Sequence, residues 1–228
     1  MRTHAAMLLS VLCLALGSQA HSATAWQEGK HYFAVQPALR TAAAGKVEVT
    51  EVFSYGCPAC NQFDPIAGRL KASLPANATL AYVPASFNAS EQWPMFQRAF
   101  LAAQAMGIAE RTHTAMFNAI WTTGELAVVD LQTNRLKKPP PTLDGVAKFY
   151  ARTAGVKAED FLATAKSFSV ELNIKRADDW VRAGHVDQTP TIVVNGKYRL
   201  TVSSAGGVNE MFELVNWLVA KENAAGHI

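Results

Sequence analysis

The first strong hydrophobic pattern in the chain lies between residues 47 and 55, where β-branched and aromatic residues dominate. This composition predicts a buried β-strand. After residue 56 the apolar residues change to a spacing of three and four, with Phe63, Ile66 and Leu70 on one side of an amphipathic helix predicted over residues 57–74. This part of the chain is therefore predicted to be a strand that is followed directly by a helix.

The pattern beyond this helix predicts a second strand and then a long helical block. Residues 79–83 have the composition of a strand, and residues 90–169 are alanine-rich with apolar residues at helical spacing. A further helix is predicted over 170–183, ending at Gly184. The helices predicted within the block cover residues 95–106, 110–121, 143–154 and 158–166, with a loop at 122–142.

The last segment predicts a β-hairpin and a final helix. Residues 191–194 and 197–202 have strand composition, and between them stands Asn195-Gly196, the favoured two-residue turn of antiparallel hairpins. Two glycines separate the hairpin from an amphipathic helix that ends near Lys221. The order of elements predicts an α/β fold in which a β-α-β unit and a β-β-α unit are split by an inserted helical domain.

The N-terminus has the features of a secretory signal peptide. Arg2 precedes an apolar run over residues 5–17, and small and polar residues then lead to an A-x-A cleavage site before Trp26. This run is shorter than the roughly 20 residues that span a bilayer as a helix. We therefore predict that residues 1–25 are removed on export, with residues 18–20 offering a second cleavage site.

The charge of the chain predicts no nucleic-acid partner. Lys and Arg number 21 against 18 Asp and Glu, and loss of Arg2 with the signal peptide leaves 20 against 18, a net charge of +2. The basic cluster at residues 135–138 is short and adjoins three prolines, so it is predicted to be a solvated loop.

The candidate chemistry is concentrated in Cys57-Pro58-Ala59-Cys60. The third cysteine, Cys13, lies in the predicted signal peptide, so these two would be the only cysteines of the exported protein, in a compartment where disulfides persist. Unpaired N–H groups and the dipole at a helix N-terminus favour a thiolate. We therefore predict that Cys57 is the attacking thiol and that Cys60, one turn further along, is the resolving thiol.

Three other uses of this motif compete with redox chemistry. A structural zinc site requires four ligands, and the histidines at 31, 113, 185 and 227 stand singly. Attachment of c-type haem requires His after the second cysteine, where this chain has Asn61. A purely structural disulfide would close a very short loop and so constrain the unfolded chain little. We predict no metal and no cofactor other than the redox-active Cys57–Cys60 disulfide.

Glu51 is a further candidate, because it interrupts an apolar row. Positions 47, 49, 51, 53 and 55 share one face of the predicted strand, and all except Glu51 are apolar or aromatic. Burial would raise the pKa of this carboxyl group and suit it to exchange a proton with Cys60. The alternative is a twist or bulge of the strand that lets Glu51 reach solvent.

Two segments of the chain resemble a known family. Residues 53–60, FSYGCPAC, and residues 188–198, QTPTIVVNGKY, are similar to the DsbA family of periplasmic thiol:disulfide oxidoreductases, and the resemblance covers essentially the whole mature chain. It implies an α/β thioredoxin fold interrupted by an inserted α-helical domain. Residues 26–87 and 170–228 would form the thioredoxin-like domain, and residues 88–169 the insertion.

The resemblance also implies roles for residues outside the CxxC motif. Pro190 would be cis and packed beside the cysteines, so that Thr189 presents its backbone to a substrate strand, although X-Pro bonds are mostly trans. An acidic residue is implied beneath the disulfide, at Glu51. A groove for unfolded substrates is implied near Trp93, whereas helical spacing favours a core position for Phe96 and Phe100.

Ala59 departs from the best-known pattern of the family, which has His at this position. A histidinium there stabilises the thiolate, and a more stable reduced form makes a stronger oxidant. A basic residue on the second strand is also missing, with Ala81 near its place. We therefore predict a less oxidising member of the family.

The resemblance implies a monomeric periplasmic dithiol oxidase that acts on reduced or unfolded exported proteins and is reoxidised by an inner-membrane partner of the DsbB type. Two alternatives stay open. One is a periplasmic disulfide reductase or isomerase, for which Ala59 and Thr189 leave room. The other is a chaperone-like binding module in which the disulfide is incidental.

Overall fold

The structure is a computed structural model that describes residues 26–226. The predicted signal peptide, with Cys13, and residues 227–228 lie outside this range. The strands of the described chain are β1 (Phe33–Ala34), β2 (Val47–Phe53), β3 (Ala78–Pro84), β4 (Thr191–Val194) and β5 (Tyr198–Leu200). The helices are α1 (Pro58–Ser73), α2 (Trp93–Ala105), α3 (Ala109–Trp121), α4 (Leu143–Ala154), α5 (Ala158–Ala165), α6 (Phe168–Ala183), α7 (Val202–Ala205) and α8 (Val208–Ala224).

The five strands form one mixed sheet in the order β1-β5-β4-β2-β3. β2 is parallel to β3 and antiparallel to β4, so the end of β2 that leads into α1 lies beside the beginning of β4. Val52 pairs with Thr191 at this end of the sheet. The sheet therefore brings the segment after β2 next to the segment before β4.

Two large apolar cores meet along β2. Val47 and Val49 pack with α1, α8 and the hairpin strands in one core, whereas Phe53 packs with α2 to α5 in the other. Glu51 lies between Val49 and Phe53 on the same face of the strand, at the junction of the two cores. A third, smaller cluster joins the opposite face of β2 to α6.

The predicted order of elements is confirmed, and most boundaries agree within two residues. The predicted helix boundary at 169/170 falls just inside α6, which begins at Phe168. Division into domains at 87/88 and 169/170 stays a prediction.

The predicted two-residue hairpin turn is wrong. Val194 pairs with Tyr198, so three residues, Asn195, Gly196 and Lys197, connect β4 and β5. Asn195 and Gly196 have positive φ angles of 52° and 66°. The longer loop accommodates the backbone of Leu39, whose N–H donates a hydrogen bond to the Gly196 carbonyl.

The predicted second hairpin strand is also too long. Its last two residues leave the sheet, because Thr201 caps the short helix α7. The Thr201 hydroxyl accepts from the Ser204 N–H, and the Ser204 hydroxyl accepts from the Thr201 N–H. This reciprocal capping box overrides the strand propensity of Thr201 and Val202. Strand β1, which has two residues, was not predicted.

None of the helices in the described range is both long and apolar enough to cross a membrane.

Candidate functional site

Cys57 is the N-cap residue of α1, at the point where β2 turns into the helix. Its Sγ accepts a hydrogen bond from the Cys60 N–H at 3.4 Å, and Pro58 occupies the first helical position, where a missing N–H has no helical partner. Pro58 and Ala59 are exposed, Cys57 keeps 5% of its surface and Cys60 keeps none. A substrate sulfur can therefore approach Cys57 and not Cys60.

Thr189 and Pro190 lie beside Cys57, and the peptide bond between them is cis, as the resemblance implies. The Cys57 thiol donates to the Thr189 carbonyl oxygen at 3.6 Å. A cavity of about 410 Å³, here called the Thr189 cavity, opens next to this contact and is lined by Ala59 and by residues on both sides of the hairpin. Thr189 and Pro190 are half-buried, so an extended chain can approach them from this cavity.

The two cysteines are free thiols in the structure and have opposite acidities. A hydrogen bond from the Cys60 thiol, helped by the backbone N–H groups of Cys60 and Ala59, lowers the pKa of Cys57 to about 6 in spite of its burial. Burial, the hydrogen bond to Cys57 and the negative charge on Cys57 raise the pKa of Cys60. At neutral pH the pair therefore carries one thiolate on Cys57 and one proton on Cys60.

Glu51 is buried, as the alternating pattern predicts, with 1% of its surface exposed. Burial raises its pKa well above the ordinary value, and the negative charges of Asp64 and Cys57 raise it further. Its Oε2 atom has no hydrogen-bond partner. The other buried acid of β2, Glu48, accepts hydrogen bonds from two backbone N–H groups and the Thr50 hydroxyl, so the two carboxyl groups have different environments.

A polar cluster that the sequence did not reveal lies behind Glu51. His113 of α3 contacts the Tyr55 hydroxyl through Nδ1 at 3.0 Å and faces Asp64 Oδ1 through Nε2 at 3.9 Å. Burial lowers the pKa of His113 to about 4 and raises that of Asp64. Both His113 and His185 stand singly in the sequence, and of the two only His113 is buried, because His185 is exposed. Residues 55, 64 and 113 follow no common spacing, so no sequence signal would have joined them.

The substrate-binding role that the resemblance implies for Trp93 stays a prediction. Trp93 keeps 8% of its surface and packs in the core beneath the active-site turn. A Cβ atom on Gly56 would lie 2.6 Å from Trp93 Cδ1 and Nε1, so the turn can approach the indole this closely because residue 56 is glycine. Phe96 and Phe100 are also buried in this core, as the helical spacing predicts.

A second tryptophan, Trp121, lies at the end of α3 and lines a groove. A groove of about 260 Å³, here called the Trp121 groove, extends from Gly56 and Pro58 to Trp121, Val128 and other residues of the following loop. The Trp121 indole donates to the Tyr55 carbonyl at 2.8 Å, so it also holds the segment before Cys57. Trp121 was not predicted because its helical spacing is that of a core residue.

Within residues 26–226 no group of three or more His, Cys, Asp or Glu side chains could hold a metal ion. The chemistry that these residues can perform is the exchange of a disulfide between Cys57–Cys60 and an external thiol.

The chain is similar to known proteins over most of its length. A family model described as Thioredoxin matches residues 39–211. The chain is 34% identical over 209 residues to a thiol:disulfide interchange protein DsbA of Pseudomonas syringae pv. tomato, covering 92% of this chain and 90% of the relative. It is also 34% identical over 220 residues to the Pseudomonas aeruginosa protein of the same name, covering 96% of this chain and 95% of that protein.

Solved structures agree with the sequence relatives. The crystal structure of Pseudomonas aeruginosa DsbA superimposes with a TM-score of 0.74 at 33% identity, over 89% of this chain and 97% of that one. The oxidoreductase DsbA from Xylella fastidiosa gives a TM-score of 0.72 at 34% identity, over 85% and 95%. The expected α/β thioredoxin fold with a helical insertion is thereby confirmed.

Proposed function

The chain belongs to the DsbA family of thiol:disulfide interchange proteins, and from this membership we propose that it is an oxidant that introduces disulfide bonds into exported proteins. Thiol:disulfide oxidoreductase activity is what the family performs. The observation that carries the direction is the asymmetry of the dithiol. A thiolate on Cys57 with a pKa of about 6 stabilises the reduced form, and a stabilised reduced form makes the disulfide form an oxidant.

The first step is an attack by a substrate thiolate on Cys57 Sγ. The Cys57–Cys60 bond breaks, a mixed disulfide forms between the substrate and Cys57, and Cys60 leaves with the electron pair. Glu51, whose burial favours its protonated form, gives its proton to the Cys60 sulfur. Cys60 is therefore a neutral thiol when the mixed disulfide has formed.

In the second step, another substrate thiolate attacks the substrate sulfur of the mixed disulfide. Cys57 leaves as a thiolate, for which its low pKa makes it well suited. Two electrons have then passed from the substrate to the enzyme, and the substrate holds a new disulfide. The reduced enzyme keeps a proton on Cys60 and a negative charge on Cys57.

Thr189 and the Trp121 groove are proposed to bind the substrate chain on two sides of Cys57. Support comes from the Thr189 carbonyl oxygen, which lies beside the Cys57 sulfur, so that a substrate strand bound there would present its cysteine to it. The apolar lining of the Trp121 groove suits side chains of an unfolded substrate. Trp93 keeps 8% of its surface exposed next to Gly56 and stays a proposed contact for the substrate.

We further propose that the protein acts in the periplasm and returns to its disulfide form through a DsbB-type membrane partner. The signal-like pattern over residues 1–25 supports export. The partner would accept the two electrons by attack of the Cys57 thiolate on a disulfide of its own. Reduced or unfolded exported proteins are the proposed substrates, and the protein is proposed to work as a monomer without a metal or bound cofactor.

The test is oxidative refolding of a reduced, multi-cysteine protein by the disulfide form. We expect rapid transfer of one disulfide per enzyme molecule, and no transfer by Cys57→Ser. Cys60→Ser is the matched control, because it keeps the attacking thiol and should accumulate mixed disulfides. Activity only on scrambled substrates would favour an isomerase or reductase instead. Full activity of Cys57→Ser in preventing aggregation would favour a chaperone.

A further inference from the structure

A second cavity of about 410 Å³, here called the His113 cavity, lies among α1, α2, α3 and β3. Tyr82 and His113 form part of its wall, and an exposed ion pair between Lys71 and Glu110 stands at its rim. Ala81 also lines it, and its small side chain leaves the space open. Solvent in this cavity therefore reaches His113 from the side of the sheet that carries Glu51.

His113 is held in one orientation by its neighbours. Tyr55 contacts Nδ1, which directs Nε2 towards Asp64, and the ring of Tyr82 lies 4.5 Å from the His113 ring between centroids. The titratable groups that face His113 are thus Tyr55 from the end of β2, Asp64 from α1 and Tyr82 from β3. The neighbouring α2 contributes the apolar ring of Phe100.

Glu51 shares two of these neighbours. It is paired directly with Tyr82 across the parallel strands, so their side chains project from the same face of the sheet. The charge of Asp64 raises the pKa of Glu51, which places the two carboxyl groups within electrostatic reach. Asp64 therefore acts on the Glu51 carboxyl group through its charge and lies 3.9 Å from the Nε2 atom of His113, while the Glu51 Oε2 atom has no hydrogen-bond partner.

In the proposed mechanism Glu51 is left as a carboxylate when it gives its proton to Cys60, and its burial beside the Cys57 thiolate favours uptake of a new proton in the reduced enzyme. When the enzyme is reoxidised, Cys60 must lose a proton before it attacks the mixed disulfide on Cys57. A protonated Glu51 cannot accept this proton until it has released its own. Burial separates Glu51 from water, so the exchange needs a route through the protein.

We propose that Asp64 and His113 form this route, so that Glu51 exchanges its proton with solvent in the His113 cavity. The inference rests on the proposed role of Glu51 as the proton partner of Cys60. His113 acts on the reaction through Asp64 and Glu51 and is a positioning residue, since it does not touch the reacting sulfurs.

Reoxidation by an external disulfide starts from the mixed disulfide on Cys57. Glu51 passes its proton to Asp64, from which it reaches His113 and then water. Cys60 gives its proton to the Glu51 carboxylate, and the Cys60 sulfur attacks Cys57 in the mixed disulfide. The Cys57–Cys60 bond forms, the bond to the external sulfur breaks, and the external thiolate leaves with the electron pair.

The test follows the reduced protein after mixing with excess oxidised glutathione, with acid quenching and mass analysis of each species. Formation of the glutathione adduct on Cys57 reports the first step, and its loss reports the attack by Cys60. His113→Gln can retain a contact with Tyr55 but does not carry a proton readily. We expect it to slow the second step about tenfold at pH 7, with a larger solvent deuterium effect, and to leave the first step unchanged.

His185→Asn is the matched control, because His185 is exposed and Asn tolerates its left-handed backbone, with φ of 51°. His113→Ala supplies a second readout, since the open cavity should admit added imidazole and restore the second step. Asp64→Asn should slow the same step as His113→Gln.

Equal second-step rates and isotope effects in His113→Gln, Asp64→Asn and the wild type would overturn the proton route. A second outcome would also overturn the route: His113→Ala has a slow second step that imidazole does not restore, while His113→Gln reacts at the wild-type rate. This pattern indicates that His113 has only a packing role. A failure of the proposed function is distinguishable, since the wild type itself would then transfer no disulfide to the refolding substrate.

Discussion

The carbonyl oxygen of Thr189 lies 3.6 Å from the sulfur of Cys57, although 132 residues separate the two in the chain. The antiparallel pairing of Val52 with Thr191 produces this contact, because it fixes the end of β2 beside the start of β4. The attacking sulfur and the backbone proposed to bind substrate are therefore held by one sheet. This rigidity favours exchange with a substrate that binds as an extended chain.

Cys57 should react as a thiolate well below the ordinary pH range of a thiol. With its pKa lowered to about 6, alkylation of the reduced protein by iodoacetamide should rise with a midpoint near pH 6. The same shift should stabilise the reduced fold above the unfolded-state pKa, and this contribution should disappear as the pH falls through 6. Cys60→Ala should raise the midpoint, because it removes the thiol that donates to Cys57. A wild-type midpoint near 8.5 would contradict the assigned geometry.

Glu51→Gln should remove a pH dependence of stability. An acid whose pKa is raised on folding destabilises the fold as the pH rises from the unfolded-state pKa to the folded-state pKa. The wild type should therefore lose stability above about pH 4. We expect Glu51→Gln to be more stable than the wild type by about 1–3 kcal/mol at pH 7.5, and to differ little at pH 4. Urea unfolding of the reduced protein at both values measures this.

Glu48→Gln is the control for that measurement. The Glu48 carboxylate accepts three hydrogen bonds, so its replacement should destabilise the fold by about 1–2 kcal/mol at pH 7.5. Stabilisation by both substitutions, or by neither, would contradict the different environments of the two acids.

Ala59→His should make the protein a stronger oxidant. Ala59 is exposed next to Cys57, and a histidinium placed there would stabilise the thiolate of the reduced form. We expect the equilibrium with glutathione to shift at least about tenfold towards the reduced enzyme, corresponding to roughly 30 mV for a two-electron couple. Ala59→Gln controls for side-chain volume. An unchanged equilibrium in Ala59→His would show that the inner dipeptide does not set the potential here.

Gly56→Ala should strain the active-site turn. The added methyl group would lie 2.6 Å from the ring of Trp93, which is buried and cannot move away freely, so a loss of about 1–3 kcal/mol is expected in thermal or urea unfolding. Trp93→Phe should relieve part of this strain, and the double variant should be more stable than the sum of the single effects. If the changes in unfolding free energy are strictly additive, the side chains at positions 56 and 93 are not in steric conflict.

Trp121→Ala should weaken substrate binding, whereas replacement of an exposed tryptophan elsewhere should not. Trp121 lines the groove beside Pro58, whereas Trp217 lies on α8, which packs with α1 and the sheet. We expect the KM for an unfolded, reduced protein to rise several-fold in Trp121→Ala and to stay unchanged in Trp217→Ala. Equal KM values in the two variants would remove the groove from the binding site.

Local features of the sequence were sufficient to predict the reactive centre. A strand, a glycine and a CxxC helix start are contiguous, and Glu51 is conspicuous because it breaks an apolar alternation that the structure confirms as buried. Glu48 is as deeply buried but lies on the opposite face, where no comparable row draws notice. Two of its three hydrogen bonds come from residues 42 and 43, and their approach is a tertiary event.

Specific contacts that hydrophobic periodicity does not encode account for what the sequence did not predict. Trp93 stands directly before a proline at a helix start, and its close contact with Gly56 is not visible in any local pattern. Thr201 has a β-branched side chain typical of strands, but a local capping box begins a helix there. His113 has no partner within its own helix, because Tyr55 comes from the turn after β2 and Asp64 from α1.

The pairing of β2 with β4 also has a consequence for the order of synthesis. A growing chain emerges from its N-terminus, so Cys57 and Cys60 leave the ribosome long before Thr189 is made. Until then the dithiol exists without the backbone against which it is held in the finished protein. An incomplete chain is thus chemically different from the complete one, and full reactivity is acquired only when about the last fifth of the polypeptide has joined the sheet.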